Sequence, residues 1–326
     1  IEFTVKYIKT SRNCVMRYIS GEPLSKCDGV SLDKRGIPLW INPIFDDSSV
    51  DKIRILLSLL TSLRAITLKP VLDTKTITDP FLGDVNKISN QEIWKVLRAL
   101  KIKRSHVKCD FNEYHLTTKR GPIGQAIVTS LIEVTYLPHQ LIADISLLGG
   151  RKLSTFIEEL TDKLDILKWR SVSLWWSSLF SNLTGKSDKI LRKLSFFSDK
   201  EGKTRVIGIV DYWSQAALKE LHHSINRILK SIPSDCTFNQ NSFTDKIVVK
   251  GNHKFHSLDL TAATDRMPIL LQKRILSFII GEAKAEAWHR ILTDIPFSCT
   301  VSKKEKVCVK YNTGQPMGAY PVLRAA

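Results

Sequence analysis

Three short segments in the last third of the chain hold residues whose types and spacing suit chemistry on phosphate esters. The first runs Lys200-Glu201-Gly202-Lys203-Thr204-Arg205-Val206-Ile207-Gly208-Ile209-Val210-Asp211-Tyr212-Trp213, with Lys203 and Arg205 two positions apart. On a strand these two face one side while Thr204 and Val206 face the other, and such a pair can hold a triphosphate, lysine as a point charge and arginine as a fork. The same pair also reads as an exposed basic strand edge that discourages unwanted pairing. The second segment, Lys254-Phe255-His256-Ser257-Leu258-Asp259-Leu260-Thr261-Ala262-Ala263-Thr264-Asp265-Arg266, predicts a short strand, a turn of small residues and then an apolar helix from Ile269 to Ile280. Asp259 falls at the carboxyl end of that strand, where a carboxylate suits magnesium, an ion that takes oxygen ligands and substrate phosphates. Asp265 follows six positions later at a helix start, where the dipole favours negative charge; it reads also as a plain helix N-terminal acid. The third segment, Asn312-Thr313-Gly314-Gln315-Pro316-Met317-Gly318-Ala319-Tyr320, is a loop with glycines four apart, residues that permit positive φ and close approach of a nucleic-acid strand. By itself a glycine-rich turn is an ordinary loop.

In this order the three segments resemble motifs F, A and B of viral RNA-directed RNA polymerases, and their wording is similar to the mitovirus form: Gly-Lys-Thr-Arg-Val-Ile, Asp-Leu-Thr-Ala-Ala-Thr-Asp-Arg and Gly-Gln-Pro-Met-Gly-Ala-Tyr. The resemblance is strong over Ser198 to Tyr320 and carries no sharp motif upstream. It implies an α+β fold, a partial right-hand polymerase with fingers and an incomplete palm behind a helix-rich N-terminal part. Lys203 and Arg205 would receive the nucleotide triphosphate, Asp259 would be the catalytic carboxylate that binds Mg2+, and Asp265 would sense the ribose hydroxyl. Gly314, Gln315 and Gly318 would position template and nucleotide. The implied partners are a single-stranded RNA template and nucleoside triphosphates, the implied reaction is two-metal attack of a 3′-hydroxyl on an α-phosphate, and the implied location is mitochondrial. The family's next motif is a Gly-Asp-Asp hairpin, whereas Tyr320 is followed by Pro321-Val322-Leu323-Arg324-Ala325-Ala326, and a proline there disfavours helix continuation. Asp46 and Asp47, adjacent but far upstream, read as a turn. The expectation is therefore a truncated polymerase, an open reading frame of viral origin carried by a plant mitochondrial genome and inactive on its own. The alternative is an RNA-binding remnant without chemistry, whose RNA affinity would depend on salt but not on magnesium. An intron maturase would carry a different motif B wording.

Behind these segments stands a chain of 326 residues with a net charge of +17, a pI near 9.6 and 43% hydrophobic residues. That composition excludes disorder as the default and points to a polyanionic partner. Six cysteines are scattered with no C-x-x-C pair, which fits a reducing compartment, and the spacing of His106, Cys109 and His115 matches no zinc pattern. Arg54, Arg64, Glu133 and Asp144 interrupt the most apolar stretches, so no membrane span is expected. Oligomeric state is not legible.

The positioning elements are read from hydrophobic period. Val50 to Leu68 reads as an amphipathic helix ending before Pro70, and Asn90 as the cap of a helix through Leu100 with a basic exit at Lys101, Lys103 and Arg104. Ile127 to Leu148 reads as helical up to a stop at Gly149 and Gly150, with the helical period resuming from Leu153 to Leu167. Trp175 and Trp176 read as buried packing. Between Lys186 and Arg205 lie seven basic residues (Lys186, Lys189, Arg192, Lys193, Lys200, Lys203, Arg205) against Asp188, Asp199 and Glu201, the most suggestive local charge excess. Gly185-Lys186-Ser187 imitates a phosphate loop, but Phe180 stands where that loop needs glycine. The division expected is residues 1–185, helix-rich, and 186–326, carrying the three motifs.

Overall fold

Apolar residues at helical spacing account for most of the architecture, and a small sheet for the rest. A computed structural model describes residues 1–22, 29–45, 49–166, 190–241, 258–302 and 305–320. Trp175, Trp176, the boundary at residue 185 and residues 254–257 of the strand expected before Asp259 lie outside them. The helices are α1 (Glu2–Ile19), α2 (Val50–Thr61), α3 (Lys75–Thr78), α4 (Asn90–Ala99), α5 (Ala126–Val134), α6 (His139–Gly149), α7 (Arg151–Ile166), α8 (Tyr212–Ser231), α9 (Ala263–Arg266), α10 (Ile269–Ile280) and α11 (Glu282–Thr293). The strands are β1 (Lys193–Ser198), β2 (Thr204–Ile209), β3 (Phe297–Ser302) and β4 (Glu305–Val309), ordered β2-β1-β3-β4 in one sheet. β1 runs parallel to β3, with Lys193 opposite Ser298, and β3 pairs antiparallel with β4, with Phe297 opposite Val309. The α+β class is as expected.

The chain forms two compact units, one of Ile1–Asp73 with Phe196–Val206 and one of Thr74–Ser195 with Ile207–Ala326. In the first, Val15 of α1 meets Ile37, Ile41, Phe45, Leu56 and Leu60 in a single core, and Tyr18 stands edge-on to Phe45. Ser49 caps α2 by accepting from the Lys52 N–H. The helix expected through Leu68 stops at Thr61 and tightens into a 3-10 turn over Ser62–Ala65, where the Ser62 hydroxyl donates to the Leu59 carbonyl.

In the second unit, α6 packs on α7, α8 and α11, burying Ile145, Leu148, Leu153, Ala217, Leu218 and Trp288. Burying each large aliphatic side chain stabilises by about 1.5–3 kcal/mol. The Arg290 guanidinium of α11 grips the Asp144 carboxylate of α6 through both oxygens. The apolar stretch is helical as expected, in two helices, α5 and α6, with a turn after Val134 and Pro138 at the start of α6; the glycine stop is real, with Gly150 at φ 79. The cap of α4 is Ser89, one residue before the asparagine expected: its hydroxyl accepts from the Glu92 N–H while the Glu92 carboxylate accepts from the Ser89 N–H, a reciprocal capping box. α10 spans the residues expected, bounded by Pro268 and Gly281.

Candidate functional site

Lys203 and Arg205 lie in the first unit, at a tight turn between β1 and β2. Burial along β2 alternates at its start, Arg205 exposed and Val206 buried, and Lys203, in the turn just before the strand, is exposed as well. Arg205 Nε donates to Asp199, and this bond holds the Asp199 carboxyl below the usual carboxylate range. Lys203 meets no carboxylate among the described residues. Glu201, in the left-handed region at φ 60, faces Arg12 at 2.7 Å, Lys9 at 3.3 Å and Arg64 at 3.8 Å. Burial works to raise its carboxyl, but the bonds from Arg12 and Lys9 outweigh it and the net shift is downward.

In the second unit Asp259 is exposed, beside an exposed Leu258, ahead of the left-handed turn at Ala262 (φ 50). Asp265 sits otherwise than the sequence suggests. It is the third residue of the four-residue α9, separate from α10, and only 5% exposed. Its Oδ2 accepts from the Thr76 hydroxyl at 3.0 Å, and its Oδ1 is buried with no donor among the described residues. Burial pushes its carboxyl above the ordinary value, against smaller opposing effects of Thr76 and Arg266.

The third segment folds onto this acid. A Cβ on Gly314 would lie 2.3 Å from the Asp265 backbone carbon and from the Thr264 and Asp265 carbonyl oxygens. The Gln315 N–H donates to the Thr264 carbonyl at 3.0 Å, and the Thr313 carbonyl accepts from the Ile269 N–H at 2.7 Å. Four residues on, a Cβ on Gly318 would lie 2.3 Å from the Gly208 carbonyl oxygen. Neither glycine has positive φ; each is required by close backbone approach, a correction to the reading from turn chemistry. Gln215 of α8 then fixes the loop end, its Nε2 donating to the Gly318 carbonyl at 2.7 Å and its Oε1 accepting from the Tyr320 N–H at 2.9 Å.

Sequence reasoning missed what clamps this seam. Arg266 donates to the carbonyls of Asp79 (2.6 Å) and Pro80 (2.9 Å), the Thr313 hydroxyl to the Asp79 carbonyl, and the Asn312 N–H to the Ile77 carbonyl. Residues 74–80 are thus tied to both later segments, with Ile77 fully buried beneath. They carry no local signal beyond a proline. Also missed is the anchor of α8. Arg192, counted above as part of a basic patch, is 1% exposed and pairs with Asp211 at 3.1 Å, while the other Asp211 oxygen caps α8 at the Ser214 N–H. Glu133 accepts from the Tyr212 N–H at 2.7 Å, and burial, reinforced by the Asp211 charge, pushes its carboxyl up to about 8.

The seam of Gly314 on Thr264-Asp265 joins the two most distinctive stretches of sequence, and comparison with known proteins gives them a common origin. The mitovirus RNA-dependent RNA polymerase family model matches residues 107–322. The chain belongs to that family. It is also 31% identical over 314 residues to the RNA-directed RNA polymerase of Cryphonectria parasitica mitovirus 1 (strain American chestnut tree/New Jersey/NB631), an alignment covering 91% of this chain and 35% of that protein. The chain thus spans about a third of the length of the curated relative it matches. No solved structure matches it.

Within the family match, three histidines surround Tyr320. Its ring lies 5.6 Å from His115, 5.2 Å from His222 and 6.4 Å from His223, and its hydroxyl is 3.2 Å from His115 Nε2. Burial lowers the His115 imidazole, with Lys219 and Lys119 adding to the effect. Cys109 is buried, its thiol pushed up to about 11 by burial. Among the described residues no group of three or more His, Cys, Asp or Glu is placed to hold a metal ion, and no helix is long and apolar enough to cross a membrane.

Proposed function

We propose that this mitovirus-family chain carries nucleotide- and template-binding elements for RNA-directed RNA synthesis, in mitochondria. The observation that supports it most is the seam itself: the loop of Gly314 is seated on the backbone of Asp265, whose Oδ1 is buried with no donor among the described residues. A ribose hydroxyl is a donor of the kind that would satisfy that oxygen, since a buried acceptor left unpaired costs about 1–3 kcal/mol. In this reading Lys203 and Arg205 bind the triphosphate, and Arg205 exchanges its bond to Asp199 for one to phosphate. Gln315 and the two glycines hold the loop against which template and nucleotide are aligned. Asp259, exposed and free of any ion pair among the described residues, fits as one oxygen ligand for Mg2+ beside the substrate's phosphates, and the ion would supply charge neutralisation on those oxygens. The chemistry is attack of a 3′-hydroxyl oxygen on the α-phosphorus, with the bond to pyrophosphate breaking and the hydroxyl proton passing to solvent. Within the same reading the chain divides near residue 185 into a helix-rich part and a motif-bearing part of fingers and palm.

A second reading, RNA binding without chemistry, draws on the net charge of +17 and on the absence, among the described residues, of any group of three or more His, Cys, Asp or Glu placed to hold a metal ion. Primer extension on a homopolymer template with Mg2+, beside Asp259→Ala, separates the two. Extension lost in Asp259→Ala supports catalysis. RNA binding that weakens with salt, with no extension by either protein, supports the second reading.

A further inference from the structure

Outside the three segments themselves, α4 and the end of α10 border an open groove of about 790 Å3. Its floor is apolar: Leu97 and Ile279 are buried, and above them Trp94, 49% exposed, stands 6.1 Å from the Phe278 ring at a tilt of 32°. Its rim is basic. Arg98, Lys101, Lys103 and Arg104 all line it, all are exposed, and among the described residues no acidic one does. The nearest acid on α4, Glu92, is occupied in the capping box. Arg104 is held in place by its bond to the Phe278 carbonyl, and the Arg98 guanidinium lies 5.8 Å from the Trp94 ring centre. Arg98, Lys101 and Lys103 meet no carboxylate among the described residues. α4 ends in a left-handed turn at Lys101, φ 55, so a lysine occupies a position where glycine would be less strained.

We infer that this groove is an auxiliary binding site for single-stranded RNA, in which a base stacks on Trp94 and Phe278 while successive phosphates lie along Arg98, Lys101 and Lys103. An exposed indole among uncompensated cations is the combination that single-strand binding uses, because every base has a π-face and every linkage a charge. Double-stranded RNA keeps its bases stacked inside and presents no face to the rings. An apolar protein helix would fill the floor but leave the cations unmatched, so charge complementarity favours the polyanion. The inference rests on these side chains alone and stands or falls separately from the role proposed for Asp259 and Asp265.

The test uses the full chain with a short single-stranded RNA carrying 4-thiouridine. Photocrosslinks are mapped to residues, and affinity is measured at several salt concentrations for the parent, Trp94→Leu and the surface double variant Lys101→Gln/Lys103→Gln. Crosslinks at Trp94 or Phe278 are expected. Trp94→Leu should weaken binding on the order of 5- to 100-fold, the range for one stacked base. The double variant, which touches no core residue, should lower the salt slope by about 1.4, roughly 0.7 per lost phosphate contact. Crosslinks confined to other regions with affinity unchanged in both variants would overturn the inference. So would equal competition by duplex RNA, flotation with cardiolipin vesicles that needs Lys101 and Lys103 while RNA crosslinks are absent, or a self-association abolished by Trp94→Leu in place of RNA binding.

Discussion

Gly314→Ala offers the sharpest check on the seam between the second and third segments. The added methyl would lie 2.3 Å from three backbone atoms of Thr264 and Asp265, and ordinary contact begins at 3.4 Å, so the loop and α9 must part by about 1 Å. No side-chain rotation can relieve this, because every atom met is backbone. Overpacking of that kind costs typically ~1–3 kcal/mol. The displacement also falls on the Gln315 N–H bond to Thr264, now 3.0 Å, and on the Ile269 N–H bond to Thr313, now 2.7 Å. Urea unfolding should report the loss of stability, and hydrogen exchange should show the Gln315 and Ile269 amides losing protection while amides of α6 keep theirs. Gly281→Ala serves as the control, since it has positive φ (90) but nothing within 4 Å, and so strains the backbone without touching the seam. Unchanged protection at Gln315 and Ile269 in Gly314→Ala, with a parent-like urea midpoint, would refute the close packing described here. Under the role proposed above for Asp265, displacing it by ~1 Å should cost on the order of a hundredfold in nucleotide addition.

Arg192→Met leaves the Asp211 carboxylate buried without its cation, and thermal or urea unfolding should show destabilisation of about 3–5 kcal/mol. Glu133, raised to about 8 in the folded state from an ordinary 4.5, holds a proton that the unfolded chain releases between those values. Stability is therefore greatest, as far as this group is concerned, below about pH 4.5, and it falls as pH rises toward about 8. Glu133→Gln should flatten the stability profile over that window and be more stable than the parent at pH 8; an unchanged slope would contradict the burial of this carboxyl beside Asp211.

What the sequence revealed and what it concealed divide by the range of the forces involved. α10 was legible to the residue because its apolar run is bounded by Pro268 and Gly281, and Arg205 and Val206 alternate as a two-residue period requires. The motif wording carried the family. Concealed were features decided by contacts distant in sequence: Thr76 bonding Asp265, Arg266 holding the carbonyls of Asp79 and Pro80, and Arg192 turning inward to Asp211 instead of joining its basic neighbours. The glycines were identified as special for the wrong reason, since φ can be guessed from turn composition but the approach of another backbone cannot. Ser89 was concealed by a smaller effect, the competition between two adjacent residues that both make good caps.

The order β2-β1-β3-β4 has a consequence in time. β1 leaves the ribosome carrying Leu194, Phe196 and Phe197, yet its parallel neighbour β3 pairs Ser298 with Lys193, 298 minus 193 or 105 residues later. At about 5–20 residues per second the first of these waits roughly 5–20 s for the other. During that interval an apolar hairpin of β1 and β2 presents an unpaired edge, the kind of surface on which nascent chains associate with one another. That edge is therefore a site where association during synthesis competes with completion of the sheet.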